Sequence, residues 1–80
     1  MKTIHVQYFA LLRERRGLSS ESVQTTATTP AQLYEELSMQ HRFEFPPDRL
    51  RVARNDEFAH WNTSLSDGDT IVFIPPVAGG

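Results

Sequence analysis

The residues with the clearest chemical potential are the last two, Gly79 and Gly80, which follow Pro75-Pro76-Val77-Ala78 at the end of an apolar stretch. A terminus is ordinarily where order fades and almost any residue is tolerated. This one looks specified position by position. Pro75 and Pro76 fix φ and favour extended polyproline geometry, so the exit from the domain is stiff. Val77 and Ala78 are small and apolar, unusual choices for a solvated end. Glycines lack a β-carbon and can enter a channel too narrow for any other dipeptide. From Pro75 to Gly80 such an arm spans roughly 20 Å at about 3.1–3.4 Å per residue. The α-carboxylate at its tip has an ordinary pKa of about 3.5, so at neutral pH it is ionised and a poor electrophile. It becomes reactive once activated, most simply as an acyl-adenylate made by a partner from ATP. An amine would then give a protein conjugate, and a sulfur donor would give a terminal thiocarboxylate. The expected site is therefore Gly80, carried on Pro75, Pro76, Val77, Ala78 and Gly79, with the catalytic groups on other proteins.

The remaining candidates are weaker. His5, His41 and His60 share no ligand spacing and read as surface or packing residues. Asp67-Gly68-Asp69 begins like a calcium loop but lacks the later oxygen ligands and closing glutamate, so it reads as a turn. Ser64 and Ser66 have no neighbour that would make either a nucleophile. Arg13, Arg15 and Arg16 read as a solvated helix face. No glycine-rich phosphate loop occurs. Without cysteine there is no thiolate, disulfide or cysteine metal site. The expectation is a carrier that binds no cofactor or metal and is not an enzyme on its own.

An arm needs a rigid base, and 80 residues make one small domain. A net charge of −2 with acids and bases interspersed argues against a nucleic-acid module. No apolar run approaches membrane-spanning length, and the N-terminus lacks a signal-peptide layout; a soluble cytoplasmic protein is expected. "KTIHVQYF" alternates, with Ile4, Val6 and Tyr8 to one side, as a half-buried strand does. "FALLRERRG" reads as a short helix closed by Gly17. "ESVQTTA" is a β-branched strand. "TTPAQLYEELSMQHRF" is the main helix, with Thr29 as N-cap, Pro30 in the first position, a stripe of Leu33, Tyr34 and Leu37, and Pro46-Pro47 barring its extension. "LRVARNDEF" is a strand, an Asn55-Asp56 turn and a short return strand. Asp67-Gly68 turns the chain into a last strand over Thr70 to Ile74. In that strand Ile71 and Phe73 should face the helix. Val72 and Ile74 then fall on the opposite face, where Phe9 and Phe58 could join them in a partner interface. The pattern establishes the α+β class.

Essentially the whole chain resembles the small subunit of molybdopterin synthase, a family of sulfur carriers with a ubiquitin-like β-grasp fold. "YFALLRERRG" is similar to the family's aromatic-Phe-Ala segment leading to Arg-Glu, and "LSDGDTIVFIPPVAGG" to its closing strand and tail, of which "PPVAGG" is the specific part. Two departures stand out: Arg54 precedes Asn55 where an apolar residue is usual, and Ile74 occupies a common aromatic position. The resemblance implies a mixed sheet packed on one main helix, with the first and last strands parallel at its centre. It divides the chain into a β-grasp domain, residues 1–74, and a tail, residues 75–80. It also implies a cycle. A ubiquitin-activating-like adenylyltransferase adenylates Gly80, and a sulfurtransferase system converts it to the thiocarboxylate. The carrier then docks on the synthase large subunit, in a heterotetramer, and donates sulfur to cyclic pyranopterin monophosphate to build the molybdopterin dithiolene. The alternatives are a sulfur carrier for thiamin thiazole or tRNA thiolation, and a ubiquitin-like protein modifier.

Overall fold

Alternation along Lys2–Tyr8 produces the first strand, β1, with Ile4, Val6 and Tyr8 buried on one side and His5 and Gln7 exposed on the other. The chain continues as α1 (Ala10–Arg16), β2 (Ser20–Thr25), α2 (Pro30–His41), a single 3-10 turn (Pro47–Arg49), β3 (Arg51–Arg54), β4 (Glu57–Ala59) and β5 (Thr70–Ile74). The computed structural model describes residues 1–75. The five strands form one sheet in the order β2-β1-β5-β3-β4. β1 and β5 run parallel at its centre, and the other neighbours are antiparallel. This mixed sheet with one main helix is the expected β-grasp arrangement.

The helix forms where local chemistry favours it. The Thr29 side chain accepts from the Gln32 N–H, and Pro30 occupies the first turn, where no N–H is needed. Leu33, Tyr34 and Leu37 are buried with Ile4, Val6, Tyr8, Val52, Ile71 and Phe73 in one core. Tyr34 is its hinge: its ring lies edge-on to Phe73 at 5.1 Å and to Trp61 at 5.6 Å, and it stacks on Phe43 at 5.9 Å. Its hydroxyl donates to the Phe45 carbonyl at 2.7 Å, which satisfies the one polar atom of a buried ring.

One boundary differs from expectation, that of β2. α2 ends at His41, and Arg42 after it adopts φ 57° and donates its N–H to the Ser38 carbonyl. That left-handed residue turns the chain back and tucks Phe43 into the core beside Tyr8 and Tyr34. β2 ends at Thr25 rather than at Ala27, because the Thr25 hydroxyl accepts from the Ala27 N–H and donates to Glu36, bending the chain into a turn. The Gly17 and Asn55-Asp56 expectations hold. Gly17 closes α1 at φ 82°, and Asn55 (φ 53°) and Asp56 (φ 72°) make the two-residue hairpin whose twist suits β3 and β4. Among the described residues no helix is long and apolar enough to cross a membrane.

Candidate functional site

β5 carries the chain out of the domain. It is hydrogen-bonded on both sides, to β1 and to β3, and it ends at Ile74 and the half-buried Pro75. The expected site residues Pro76, Val77, Ala78, Gly79 and Gly80 lie outside the described residues. What the structure describes is the platform from which they depart.

That platform has two unlike faces. Ile71 and Phe73 point into the core and are fully buried. On the other face the register aligns Gln7, Val72, Ala53 and Phe58 in one row across β1, β5, β3 and β4. Ile74 and Arg51 pair in the next row. Phe9 is 48% exposed and Phe58 69% exposed, although both are large and apolar. Phe9 stands there because Ala10, at φ 51°, breaks the strand direction directly after it. This places Phe9 outward and lets Leu12 turn into the core. The four residues expected at a partner interface, Phe9, Phe58, Val72 and Ile74, are all brought together, around a shallow depression of about 270 Å³ whose polar lining is Gln7 and Asp56. An adjoining depression of about 440 Å³ shares Phe58 and Ile74 and continues to Pro75, the root of the tail.

Ala53 and Arg51 are among the lining residues that the sequence reading did not assign to this face. Ala53 forms the floor beside Val72, and Arg51 lies with its guanidinium 5.4 Å from the centre of the Phe58 ring. Counting alternation outward from the Asn55-Asp56 turn would have found both, since that turn fixes Ala53 opposite Phe58.

The other end of β5 is built differently. Asp69, almost wholly buried, accepts from Arg54 Nε at 2.7 Å, from the Ser66 N–H at 2.8 Å and from Asn55 Nδ2 at 3.0 Å. Burial alone would raise its pKa, but the Arg54, Ser66 and Asn55 donors together hold it below the usual carboxylate value. Asn55 completes the clamp with Thr70: its backbone N–H donates to the Thr70 carbonyl and its side-chain oxygen accepts from the Thr70 N–H, each at 2.9 Å. Asp67 accepts from the Thr3 N–H at 2.7 Å, tying the same turn to β1. The Asp67-Gly68-Asp69 segment is thus the turn that was expected. Arg54, unusual for its position, is explained by its ion pair with Asp69.

The arginine face of α1 is only partly solvated, a correction to its reading. Arg16 makes a two-bond contact with Glu21, both at 2.8 Å, and the same carboxylate accepts from the Tyr8 hydroxyl at 2.7 Å. The Arg16 hydrogen bonds hold Glu21 below its usual pKa, against the effect of its partial burial. Desolvation chiefly, with Glu21 adding to it, pushes the Tyr8 phenol well up. This cluster fixes α1 to the sheet below Phe9. Among the described residues no group of three or more His, Cys, Asp or Glu is placed to hold a metal ion.

Comparison with known proteins follows the same outline. The ThiS family matches residues 6–80. The molybdopterin synthase sulfur carrier subunit of Mycobacterium tuberculosis (strain ATCC 25618 / H37Rv) is 34% identical, with 100% of each chain covered. Among solved structures, SAMP1 of Haloferax volcanii, a small archaeal modifier protein, superposes with a TM-score of 0.78 at 26% identity, covering 98% of this chain and 99% of that one. A complex of subunits 1 and 2 of the molybdopterin-converting factor from Helicobacter pylori 26695 contains a chain that matches with a TM-score of 0.69 at 26% identity, covering 98% of this chain and 99% of that one.

Proposed function

The chain belongs to the ThiS family, and from that premise we propose that it is the sulfur-carrier subunit of a molybdopterin synthase. The observation that carries this reading is the union of two features at one end of β5: an exposed apolar face reaching Pro75, and a sequence that continues from there to Gly79-Gly80. The face docks and the tail reaches.

The chemistry follows from the Gly80 carboxylate. A ubiquitin-activating-like adenylyltransferase joins it to the α-phosphorus of ATP and releases pyrophosphate. A donor sulfur then attacks the acyl carbon, AMP leaves, and the terminus becomes a thiocarboxylate. The apolar face of Phe9, Phe58, Val72 and Ile74 seats on the synthase large subunit, so that Pro75 to Gly80 extend into its active site. There the thiocarboxylate sulfur attacks a carbon of cyclic pyranopterin monophosphate as a carbon–oxygen bond of that carbon breaks and the oxygen leaves. Water then cleaves the acyl–sulfur bond, leaving the sulfur on the pterin and restoring the carboxylate. The large subunit supplies the catalytic residues and this chain supplies the sulfur; ATP is bound by the adenylating partner alone. The complex of two subunits from H. pylori supports a docked state, and a heterotetramer is the assembly we assign. Because charging consumes ATP, the carrier works in the cytoplasm.

Likeness to SAMP1 favours one second reading, a protein modifier whose activated Gly80 is taken by a lysine amine. Intact-mass measurement separates the two. After incubation with ATP, the adenylating partner and a sulfur donor, the carrier gains the mass difference between sulfur and oxygen, and fragmentation places it on Gly80. The gain disappears when the charged protein meets the large subunit and its pterin substrate. If an isopeptide conjugate is the only ATP-dependent product, the sulfur-carrier reading falls.

A further inference from the structure

The apolar face is asymmetric in charge, and the asymmetry lies at the root of the tail. Arg51 pairs with Ile74 in the β3–β5 register, and its guanidinium rests over the Phe58 ring. A guanidinium held over an exposed ring keeps its position while its N–H groups remain available. Arg49, from the turn ahead of β3, lines the same depression, together with Asp48, Ile74 and Pro75. Among the described residues Arg49 and Arg51, like Arg13 and Arg42, form no ion pair, whereas Arg15, Arg16 and Arg54 do. Asp48 is the one carboxylate lining this end, so two cations meet one anion there, within a chain whose net charge is −2. The other carboxylate on the face, Asp56, stands at the far end, in the β3–β4 turn.

The anion that this rim fits is a protein carboxylate. A surface that presses an apolar side chain over Val72 brings its own flanking residues over Arg49 and Arg51, which line the adjoining depression.

Building on the synthase reading, we infer that Arg49 and Arg51 form a carboxylate-binding rim for the large subunit. Its Asp or Glu side chains pair with them while an apolar side chain fills the depression over Val72. The two ends of the face then set the direction of docking, with the partner's acidic side toward the tail. Charge pairs at the edge of an apolar contact act on orientation and association rate as well as on affinity, and they weaken with salt.

The test is calorimetric titration of the full chain with the large subunit of the same organism, at about 50 and about 300 mM salt. The variants are Arg49→Glu/Arg51→Glu, the milder Arg49→Gln/Arg51→Gln, Arg42→Glu as a charge control at the end of α2, on the helix side of the sheet, and Ile74→Asn; thermal melts verify each fold. The wild type should bind more weakly at high salt. The Glu pair should lose roughly tenfold or more in affinity at low salt, together with most of the salt dependence. The Gln pair should fall between, and Arg42→Glu should match the wild type. If the Glu pair fails to fold, the Gln pair carries the same comparison. Binding by the arginine variants within about twofold of wild type, alongside loss in Ile74→Asn, overturns the rim and leaves the docking reading intact. Absence of wild-type binding at both salts overturns both.

Discussion

The two ends of β5 are stabilised by different means. At Thr70 the strand enters the sheet through a clamp of short hydrogen bonds: Asp69 to Arg54, Asn55 and Ser66, Asn55 to Thr70, and Asp67 to β1. At Ile74, four residues on, it leaves beside exposed aromatic rings and two arginines that, among the described residues, form no ion pair. Polar groups that are buried must be satisfied, so the first end has essentially one geometry. An apolar face left at the surface gains stability when something covers it. The difference teaches how a small domain can aim a tail: it anchors the strand where it enters and leaves the departing end open for a partner. The parallel pairing of β1 with β5 adds to this, because the strand that delivers the tail is held on both sides.

If that division is real, changes at the two ends should separate function from stability. The largest effect belongs to the tip. Deleting Gly80, or adding one residue after it, should abolish thiocarboxylate formation and sulfur transfer, because activation needs a free carboxylate at a fixed distance from the sheet. The melting temperature should stay within a degree or two of wild type. An extended chain, shown to remain unprocessed, that still supports molybdopterin formation would break the comparison at once. Next come two mirror substitutions. Asp69→Ala strands the Arg54 guanidinium and the Ser66 and Asn55 donors, and should cost about 2–4 kcal/mol of stability. For a domain of this size that lowers the melting temperature by at least roughly 10 °C. Ile74→Asn, on the half-exposed end, should cost only about 1 kcal/mol yet remove most of the affinity for the large subunit. Urea unfolding and titration of both variants check the pair. Equal losses of stability would show that the two ends are not functionally distinct.

Much of the domain was legible because its signals are local. Alternation in "KTIHVQYF", the Thr29-Pro30 helix start, Gly17 and the Asn55-Asp56 turn each need only their neighbours to act, and each is where it was read. The shared face of Val72 and Ile74 was legible because period-two alternation sends them to one side once Ile71 and Phe73 take the other. What escaped depends on pairing between distant segments. Arg54 and Asp69 are 15 residues apart and meet only through the β3–β5 register. Read alone, Arg54 was an oddity and Asp69 a turn residue. Arg51 acquires meaning only when Ile74 and Phe58 stand beside it. The left-handed residues Ala10 and Arg42 were missed for another reason: neither is glycine or asparagine, so composition gives no warning. Packing of Phe9, Leu12 and Phe43 holds them there.

The smallest expected effect sharpens the comparison most directly, because it uses the proton as the probe. Asp69 is held below the usual carboxylate pKa. A group whose folded pKa is depressed contributes stability that is fully present above its unfolded value, near 4, and is lost as pH falls through the folded value. The wild type should therefore weaken progressively from about pH 5 downward. Glu21, depressed by Arg16, acts in the same direction, so the acid limb alone does not report on the clamp. Asp69→Asn isolates it. The asparagine cannot be ionised, so near pH 6 this variant should be less stable than wild type. As Asp69 itself becomes protonated, the two proteins approach the same electrostatic state, and the gap between their urea midpoints should close. At the exit end Phe9, Phe58, Val72 and Ile74 do not titrate. A corresponding gap between wild type and Ile74→Asn should stay constant over the same range. If the Asp69→Asn gap also remains constant, the clamp acts through shape and neutral hydrogen bonds. The ionised carboxylate is then not what secures the entering end of β5.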